Sequence, residues 1–193
     1  MIFWASAGLA QPFSSDVWHN GQVVLMTGDT LKGGQVKYNM ENQTVQYSFN
    51  GENVQAFSPR KVLAFEMYDN VIDSYRVFYV LPYKAVNNYE APFIFELSYE
   101  GPHMSLLRTE KVETVMRNVP YMYATYTFEE MQYTYYFIDK TGRIQEFNGK
   151  KNDLFRIMRN RAPEIKAFIR QENLKLDRLD HLVKISSYYN SLF

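Results

Sequence analysis

Residues 44–57 have the sequence T-V-Q-Y-S-F-N-G-E-N-V-Q-A-F, in which apolar or aromatic side chains alternate with polar ones on both sides of Asn50-Gly51. This alternation is typical of a β-strand, whose side chains point to opposite faces with a period of two. A two-residue hairpin turn needs a positive φ at both turn residues, and Asn-Gly adopts such angles at the least energetic cost. The stretch therefore predicts strands at 44–49 and 53–57, joined by a tight turn into an antiparallel sheet.

The same pattern continues in both directions along the chain. Further strands are predicted at 22–27, 34–39, 62–68, 75–81, 92–99, 104–115, 121–128, 133–138 and 143–147. Asp139-Lys140-Thr141-Gly142 predicts a second hairpin, with Gly142 in the left-handed conformation that closes a type I turn. Strands and helices do not alternate, so we expect a mainly antiparallel β body of about 9–11 strands, arranged as a small barrel or a sandwich.

Beyond residue 150 the apolar spacing changes to three and four, which is typical of amphipathic helices. Asn152 is expected to cap one helix, Pro163 to lie in the first turn of a second, and Asp177 to cap a third. The apolar stripes of these helices are Leu154, Phe155 and Met158, then Ile165, Phe168 and Ile169, then Leu179, Leu182, Ile185, Tyr189 and Leu192. These stripes favour packing of the tail on the β body over packing on a partner.

The predicted fold class is therefore α+β, a β body at 11–149 followed by a tail of two to three helices at 150–193. Two arrangements of the body stay open. It forms one sheet system, or a small barrel at 18–68 followed by a second sheet at 75–149.

The composition is that of an ordinary globular protein. The chain has 193 residues, a formal net charge of zero, 46% hydrophobic and 22% charged residues, and no cysteine. This balance excludes a disordered or collagen-like chain, and the missing cysteines exclude thiol catalysis, disulfides and cysteine-based zinc sites. The unusual quantity is the aromatic content of 17%, with 16 Tyr and 14 Phe.

Residues 1–10, M-I-F-W-A-S-A-G-L-A, are almost wholly apolar and end in small residues. Ala5-x-Ala7 and Gly8-x-Ala10 both have the small-x-small pattern that signal peptidase cleaves. We interpret the segment as the remnant of a signal peptide, with a buried N-terminal strand as the alternative. No other apolar run approaches the roughly 20 residues of a membrane helix, so the sequence predicts an exported protein, periplasmic or associated with the outer membrane, without a transmembrane segment.

Two resemblances accompany these patterns. Residues 28–65 contain G-D-T-L-K-G-G-Q-V-K-Y, N-Q-T-V-Q-Y-S-F-N-G and V-Q-A-F-S-P-R-K-V-L-A-F, a meander that resembles small SH3-like or Sm-like barrels. The whole chain is also similar to a family of uncharacterised exported proteins of Bacteroidetes. That likeness is carried by 28–38, by P-F-I-F-E-L at 92–97 with Gly101 and Leu106-Leu107-Arg108, and by Tyr188-Tyr189-Asn190. It implies a β-rich body, a helical C-terminus and an export route, and it implies no chemistry.

Residues able to perform chemistry are scattered. His19, His103 and His181 lie far apart, and no nucleophile elbow, phosphate-binding glycine loop or zinc-protease helix occurs. Sugar hydrolysis needs two carboxylates across a cleft, and the candidates are Asp69 and Asp73 with Glu96 and Glu100. We expect no catalytic residue, no cofactor and no metal, and keep a carboxylate hydrolase as the third functional hypothesis.

An aromatic cluster is the strongest candidate for a binding surface. On the predicted hairpin of 121–128 and 133–138, aromatic side chains occupy both faces, so both faces are covered or one is exposed. Exposed tyrosines suit a protein partner or the rings of a glycan, because a flat apolar ring carries a polar hydroxyl. The candidate surface consists of Tyr121, Tyr123, Tyr126, Tyr133, Tyr135 and Tyr136.

The second candidate surface is basic. Residues 1–110 have a net charge of −4 and residues 111–193 a net charge of +4, counted from Lys and Arg against Asp and Glu. The predicted basic helical face is formed by Arg156, Arg159, Arg161, Lys166 and Arg170. Such a face contacts phosphate, lipid headgroups or an acidic partner, or is simply solvated, and the zero net charge argues against nucleic acid.

These observations favour a non-enzymatic envelope protein that acts as a protein-binding or assembly module. A carbohydrate-binding module that uses the tyrosines is the alternative. The sequence does not decide the oligomeric state.

Overall fold

The fold is described from a computed structural model for residues 17–40, 42–70, 72–84, 89–119 and 124–193. Ten strands form one sheet in the order β10-β9-β8-β7-β6-β5-β1-β2-β3-β4, and every neighbouring pair is antiparallel. The strands are β1 His19–Leu25, β2 Thr30–Asn39, β3 Thr44–Ser48, β4 Val54–Phe57, β5 Val62–Asp69, β6 Ser74–Lys84, β7 Glu90–Tyr99, β8 Met104–Val119, β9 Ala124–Asp139 and β10 Ile144–Phe147. The helices are α1 Lys151–Ile157, α2 Ala162–Gln171 and α3 Leu179–Ser191.

The expected antiparallel β body with a helical tail is confirmed. The sheet is open, however, and does not close into the small barrel that was one expectation. Among the described residues, β4 pairs only with β3, and β10 pairs only with β9. The ladder between β5 and β6 joins the strands of 18–68 to those of 75–149 in the same sheet.

The half of the sheet formed by β1–β5 is strongly curled. Four strand spacings separate β5 from β4, which is about 19 Å in a flat sheet. The connection between them contains a 3-10 turn, Pro59–Lys61, whose residues advance less than extended ones. The chain from Phe57 to Val62 can therefore span only about 13 Å. The sheet must therefore bend, and the ring of Tyr38 in β2 lies 5.7 Å from the Phe65 ring in β5.

The two predicted hairpins have different outcomes. The turn from Asp139 to Gly142 is confirmed: Ile138 pairs with Ile144, and Gly142 has a φ of 82°. The tight turn at Asn50-Gly51 is wrong, because Ser48 pairs with Val54 and leaves a five-residue loop at 49–53. Gly51 alone in that loop has a positive φ, and the Asn50 side chain instead accepts hydrogen bonds from the backbone N–H groups of 52 and 53.

The predicted strands at 121–128 and 133–138 are not a hairpin. The described part of both belongs to one strand, β9, which pairs with β8 from Ala124 to Asp139. Glu129-Glu130-Met131-Gln132 joins the two segments and contains no Gly, Pro, Asn or Asp, so nothing there ends a strand. The residues 120–123, where β8 connects to β9, lie outside the described residues, as does the expected signal segment 1–10.

The helices cover one face of the sheet at its β10 end. Their apolar stripes pack on Met104, Leu106, Phe137 and Phe147, which are all at most 4% exposed. Pro163 lies in the first turn of α2 as expected. The expected caps Asn152 and Asp177 are wrong, because the cap positions are Lys150 and Arg178 and neither makes a side-chain capping bond.

Two apolar clusters complete the core. The curled half holds a second core on the same face as the helices, from Val23 and Val36 to Phe78 and Ile94. A smaller cluster around Phe95, Leu107 and Tyr136 lies on the opposite face. None of the helices in the described ranges is long and apolar enough to cross a bilayer.

Candidate functional site

The β8–β9 hairpin continues beyond the sheet as a two-stranded arm. The ladder between β7 and β8 runs from Tyr99 to Glu96, and that between β9 and β10 reaches Tyr135. In the described ladders, residues 111–119 and 124–132 pair only with each other, through nine cross-strand pairs. We call these two segments the β8–β9 arm.

The neighbouring β6–β7 hairpin has protected edges, whereas the arm does not. Pro82 in β6 pairs with Pro92 in β7 without interrupting their ladder. The backbone nitrogens of both prolines, which carry no hydrogen, therefore point outward, away from the partner strand. Proline at an outward position prevents the addition of another strand. Residues 111–119 and 124–132 contain no proline, and in the described ladders each segment pairs only with the other, so no proline protects the outer edges of the arm.

Apolar side chains are exposed on the arm. The side chains of Val112, Thr114 and Met116 follow one another on one face of β8, and Met116 is 74% exposed. At the base of the arm, the guanidinium of Arg108 lies 4.9 Å from the centre of the Tyr133 ring. The arm is therefore anchored in the sheet and exposes apolar side chains on β8 between Val112 and Met116.

The six predicted tyrosines do not form one platform within the described part of the chain. Tyr133 and Tyr135 are on the face that carries the helices, whereas Tyr136 is buried on the opposite face. Tyr133 is 43% exposed, and Tyr135 packs against the helical core. Tyr121 and Tyr123 lie outside the described residues, and for Tyr126 only the pairing with Arg117 is described.

A network of buried charges lies between the two cores, at the base of the arm. The Arg76 guanidinium is 2.5 Å from a carboxylate oxygen of Glu96, 2.8 Å from one of Glu110 and 3.6 Å from one of Asp69. Arg108 donates two further hydrogen bonds to Glu96, of 2.8 and 2.7 Å. Arg76, Glu96, Glu110 and Asp69 are all at most 7% exposed.

The two central carboxyl groups are perturbed in opposite directions. Burial acts to raise the pKa of Glu96, but hydrogen bonds from Arg76 and Arg108 hold it below its ordinary value. For Glu110, burial outweighs the attraction of Arg76 and raises the pKa. Glu110 Oε1 is also buried without a hydrogen-bond partner, so this carboxyl group is the least satisfied member of the network.

The predicted carboxylate site is divided by the fold. Asp69 and Glu96 belong to the buried network, where arginines occupy Glu96 on both oxygens. Asp73 instead accepts a hydrogen bond from the Tyr68 hydroxyl, and Glu100 is exposed in the turn after β7. The structure therefore brings Asp69 and Glu96 together around Arg76, whereas Asp73 and Glu100 lie outside the network.

The predicted basic residues also separate. Arg156 pairs with Asp153 at 2.6 Å, and Arg161 lies 3.5 Å from Glu164 and over the Phe193 ring. Lys166 and Arg170 are exposed one turn apart on α2, whereas Arg156 and Arg159 line a cleft at the end of the sheet.

Across the described ranges, no group of three His, Asp or Glu side chains could hold a metal ion. His19 Nδ1 is 2.9 Å from the carbonyl of Tyr68, and His181 Nδ1 accepts the backbone N–H of Lys175. The three histidines of the sequence are thus placed in separate local contacts.

The buried network is the feature that sequence reasoning missed. Each member occupies an inward position of its strand, in line with apolar residues such as Phe78 and Ile94. A charged residue at an inward position was the available signal. The partners are 7 to 34 residues apart, however, and only the strand register brings them together.

The chain matches no protein-family model, no curated protein and no solved structure.

Proposed function

We propose that the chain is a non-enzymatic exported envelope protein that acts as a protein-binding or assembly module, and that the β8–β9 arm is its contact element. The observation that carries the proposal is the arm itself, which is nine strand pairs long and has no third strand among the described residues. A two-stranded ribbon is marginally stable in water, and a third strand or a packed face stabilises it. A protein partner supplies both.

Strand addition is the mode of binding that this geometry supports. An extended segment of the partner would pair with the backbone of an outer edge, and side chains on the arm would set specificity. The contrast with the proline-protected β6–β7 hairpin supports this assignment, because one of two neighbouring hairpins is protected and the other is not.

A photocrosslinking amino acid in place of Met116 tests the contact in the native host. Met26 provides a matched control, because it is a second exposed methionine, 61% exposed, in the turn between β1 and β2. We expect a defined crosslinked protein from position 116 and none from position 26. We also expect Met116→Lys to abolish copurification of that protein, and Met26→Lys to leave it unchanged.

Crosslinks of equal yield at both positions, or none at position 116, would contradict the proposal. A product of twice the chain mass of 22.8 kDa would identify the partner as a second copy, and the module as self-assembling.

Export is the other half of the proposal and is supported by the apolar segment 1–10 with its small residues Ala5, Ala7, Gly8 and Ala10. Fractionation of the native host followed by N-terminal mass spectrometry tests it. We expect the protein in the envelope fraction, with cleavage after Ala7 or Ala10. Cytoplasmic protein that retains Met1 would contradict export without bearing on the arm.

A further inference from the structure

A cleft of about 310 Å³ lies at the end of the sheet opposite β4. One wall is formed by the β9–β10 turn, by Met104 at the start of β8 and by His103 directly before it. The other wall is the end of α1, the 3-10 turn Arg159–Arg161 and the end of α3. This volume is at the lower end of the range for small-molecule sites.

Cations dominate the polar lining of the cleft. They are Lys140 and Arg143 from the turn, and Arg156 and Arg159 from the opposite wall. Asp139 is the carboxylate of the lining, and its Oδ1 already accepts hydrogen bonds from the backbone of 141 and 143. Arg156 is paired with Asp153. Among the described residues, Lys140, Arg143 and Arg159 have no carboxylate oxygen within 4.0 Å, although Arg143 and Asp139 attract each other electrostatically.

The wall near the end of α3 is aromatic. The Phe193 ring stacks on the His103 ring with a centroid distance of 4.3 Å and on the Arg161 guanidinium at 4.9 Å. Tyr189 contributes a second ring, and its centroid is 5.3 Å from that of Phe193. The cleft thus combines an excess of positive charge with an aromatic wall.

We propose that this cleft is a binding site for a phosphoryl group. Two arginines and a lysine from opposite walls can surround an anion of more than one charge, and the arginine fork matches the oxygen geometry of phosphate. The aromatic wall would contact the apolar or ring portion of the molecule that carries the group. This site lies at the opposite ends of β8 and β9 from the β8–β9 arm and is independent of it.

The basic residues provide a matched comparison. Arg143→Gln with Arg159→Gln removes two cations from the cleft, whereas Lys166→Gln with Arg170→Gln removes two exposed cations from α2. Binding is measured by calorimetry and by amide NMR shifts, with inorganic phosphate, a hexose 6-phosphate, succinate, and vesicles containing phosphatidylglycerol as probes.

We expect phosphoryl probes to bind with shifts at 139–143 and 156–160, and the cleft variant to lose at least about tenfold in affinity. The α2 variant should stay within about twofold of the unchanged protein. Binding of the soluble phosphates identifies a small phosphorylated ligand, and binding of vesicles alone identifies a lipid headgroup.

Equal losses in both variants would show diffuse electrostatic attraction and overturn the proposal. Succinate that binds as tightly as the phosphate ester would overturn it as well. So would the absence of binding by every phosphoryl probe up to about 1 mM.

Discussion

Asn190 shows how one side chain joins the helical tail to the sheet. Its Oδ1 accepts the backbone N–H groups of His103 and Met104 at 2.8 and 3.1 Å, and its Nδ2 donates to the carbonyl of Met104 at 2.8 Å. A Cβ at Gly101 would lie 2.5 Å from Nδ2, so glycine is required for this close approach. The contact fixes the β7–β8 turn against α3.

We expect Asn190→Ala to lower the free energy of unfolding by about 3 kcal/mol, because it leaves two N–H groups and a carbonyl near the core without partners. Urea denaturation measures the change. Asn152→Ala is the control, since Asn152 is exposed in the first turn of α1, and should stay within about 0.5 kcal/mol. Similar effects of both variants would show that the Asn190 contacts contribute little.

Glu110 gives the buried network a pH dependence of definite sign. Its pKa is raised in the folded state, so the folded protein binds more protons than the unfolded chain between about 4.5 and the raised value. Stability from this group is therefore present at low pH and is lost as the pH rises through that window. Glu96 acts in the opposite direction, because its pKa is lowered and its contribution is lost as the pH falls below about 4.5.

Glu110→Gln isolates the first effect. The neutral side chain cannot titrate, so we expect the variant to gain stability relative to the unchanged protein as the pH rises above about 4.5, by at most about 1.4 kcal/mol per pH unit. Urea denaturation at several pH values measures the difference. Glu100→Gln, at an exposed carboxyl outside the network, corrects for the general loss of charge. A relative gain on going to lower pH would contradict the assignment.

At the scale of the element, local signals predicted what depends on local chemistry. The turn at Asp139 and the position of Pro163 follow from single residues with a restricted backbone, and both are confirmed. The loop at 49–53 departs from the prediction because the Asn50 and Ser48 side chains hydrogen-bond to the loop backbone and stabilise a wider turn.

The continuity of β9 and the buried network depend on tertiary context. Residues 129–132 carry no turn signal, yet the repeated tyrosines on both sides suggested two strands. Glu110 and Arg76 are 34 residues apart. Their contact requires the register of β6 on β7 and of β7 on β8, which no local pattern specifies.

The arm has a testable consequence for the protein alone. In the part of the sheet that the structure describes, residues 111–119 and 124–132 pair only with each other, whereas 104–108 and 135–138 lie inside the sheet. We expect amide hydrogens of the arm to exchange at least about tenfold faster than those of the inner segments of the same two strands, because the arm opens locally. Hydrogen-exchange mass spectrometry measures this.

The inner segments of β8 and β9 are the internal control for that experiment, and added partner should slow exchange in the arm alone. Uniform protection along both strands in the isolated protein would show that the arm needs no partner for stability. Partner-induced protection elsewhere would place the contact outside the arm.

At the scale of the molecule, the helical tail and the sheet share one core. Five apolar side chains of the helical tail are fully buried and pack with the inward residues of β8, β9 and β10. They are Leu154, Met158, Ile165, Leu182 and Ile185. Each such side chain contributes roughly 1.5–3 kcal/mol when buried. For five side chains this is roughly 7.5–15 kcal/mol, as large as the roughly 5–15 kcal/mol by which folded domains are stable, so we expect the sheet to depend on the tail.

Deletion of residues 150–193 tests that dependence, since it would expose Met104, Leu106, Phe137 and Phe147 together. We expect the truncated chain to aggregate, as seen by size-exclusion chromatography with light scattering. Leu182→Ala in the full chain is the milder test and should cost about 2–5 kcal/mol by leaving a cavity. A truncated chain that stays monomeric and equally stable would assign the apolar stripes of the helices to a partner interface, because the sheet would then not need them.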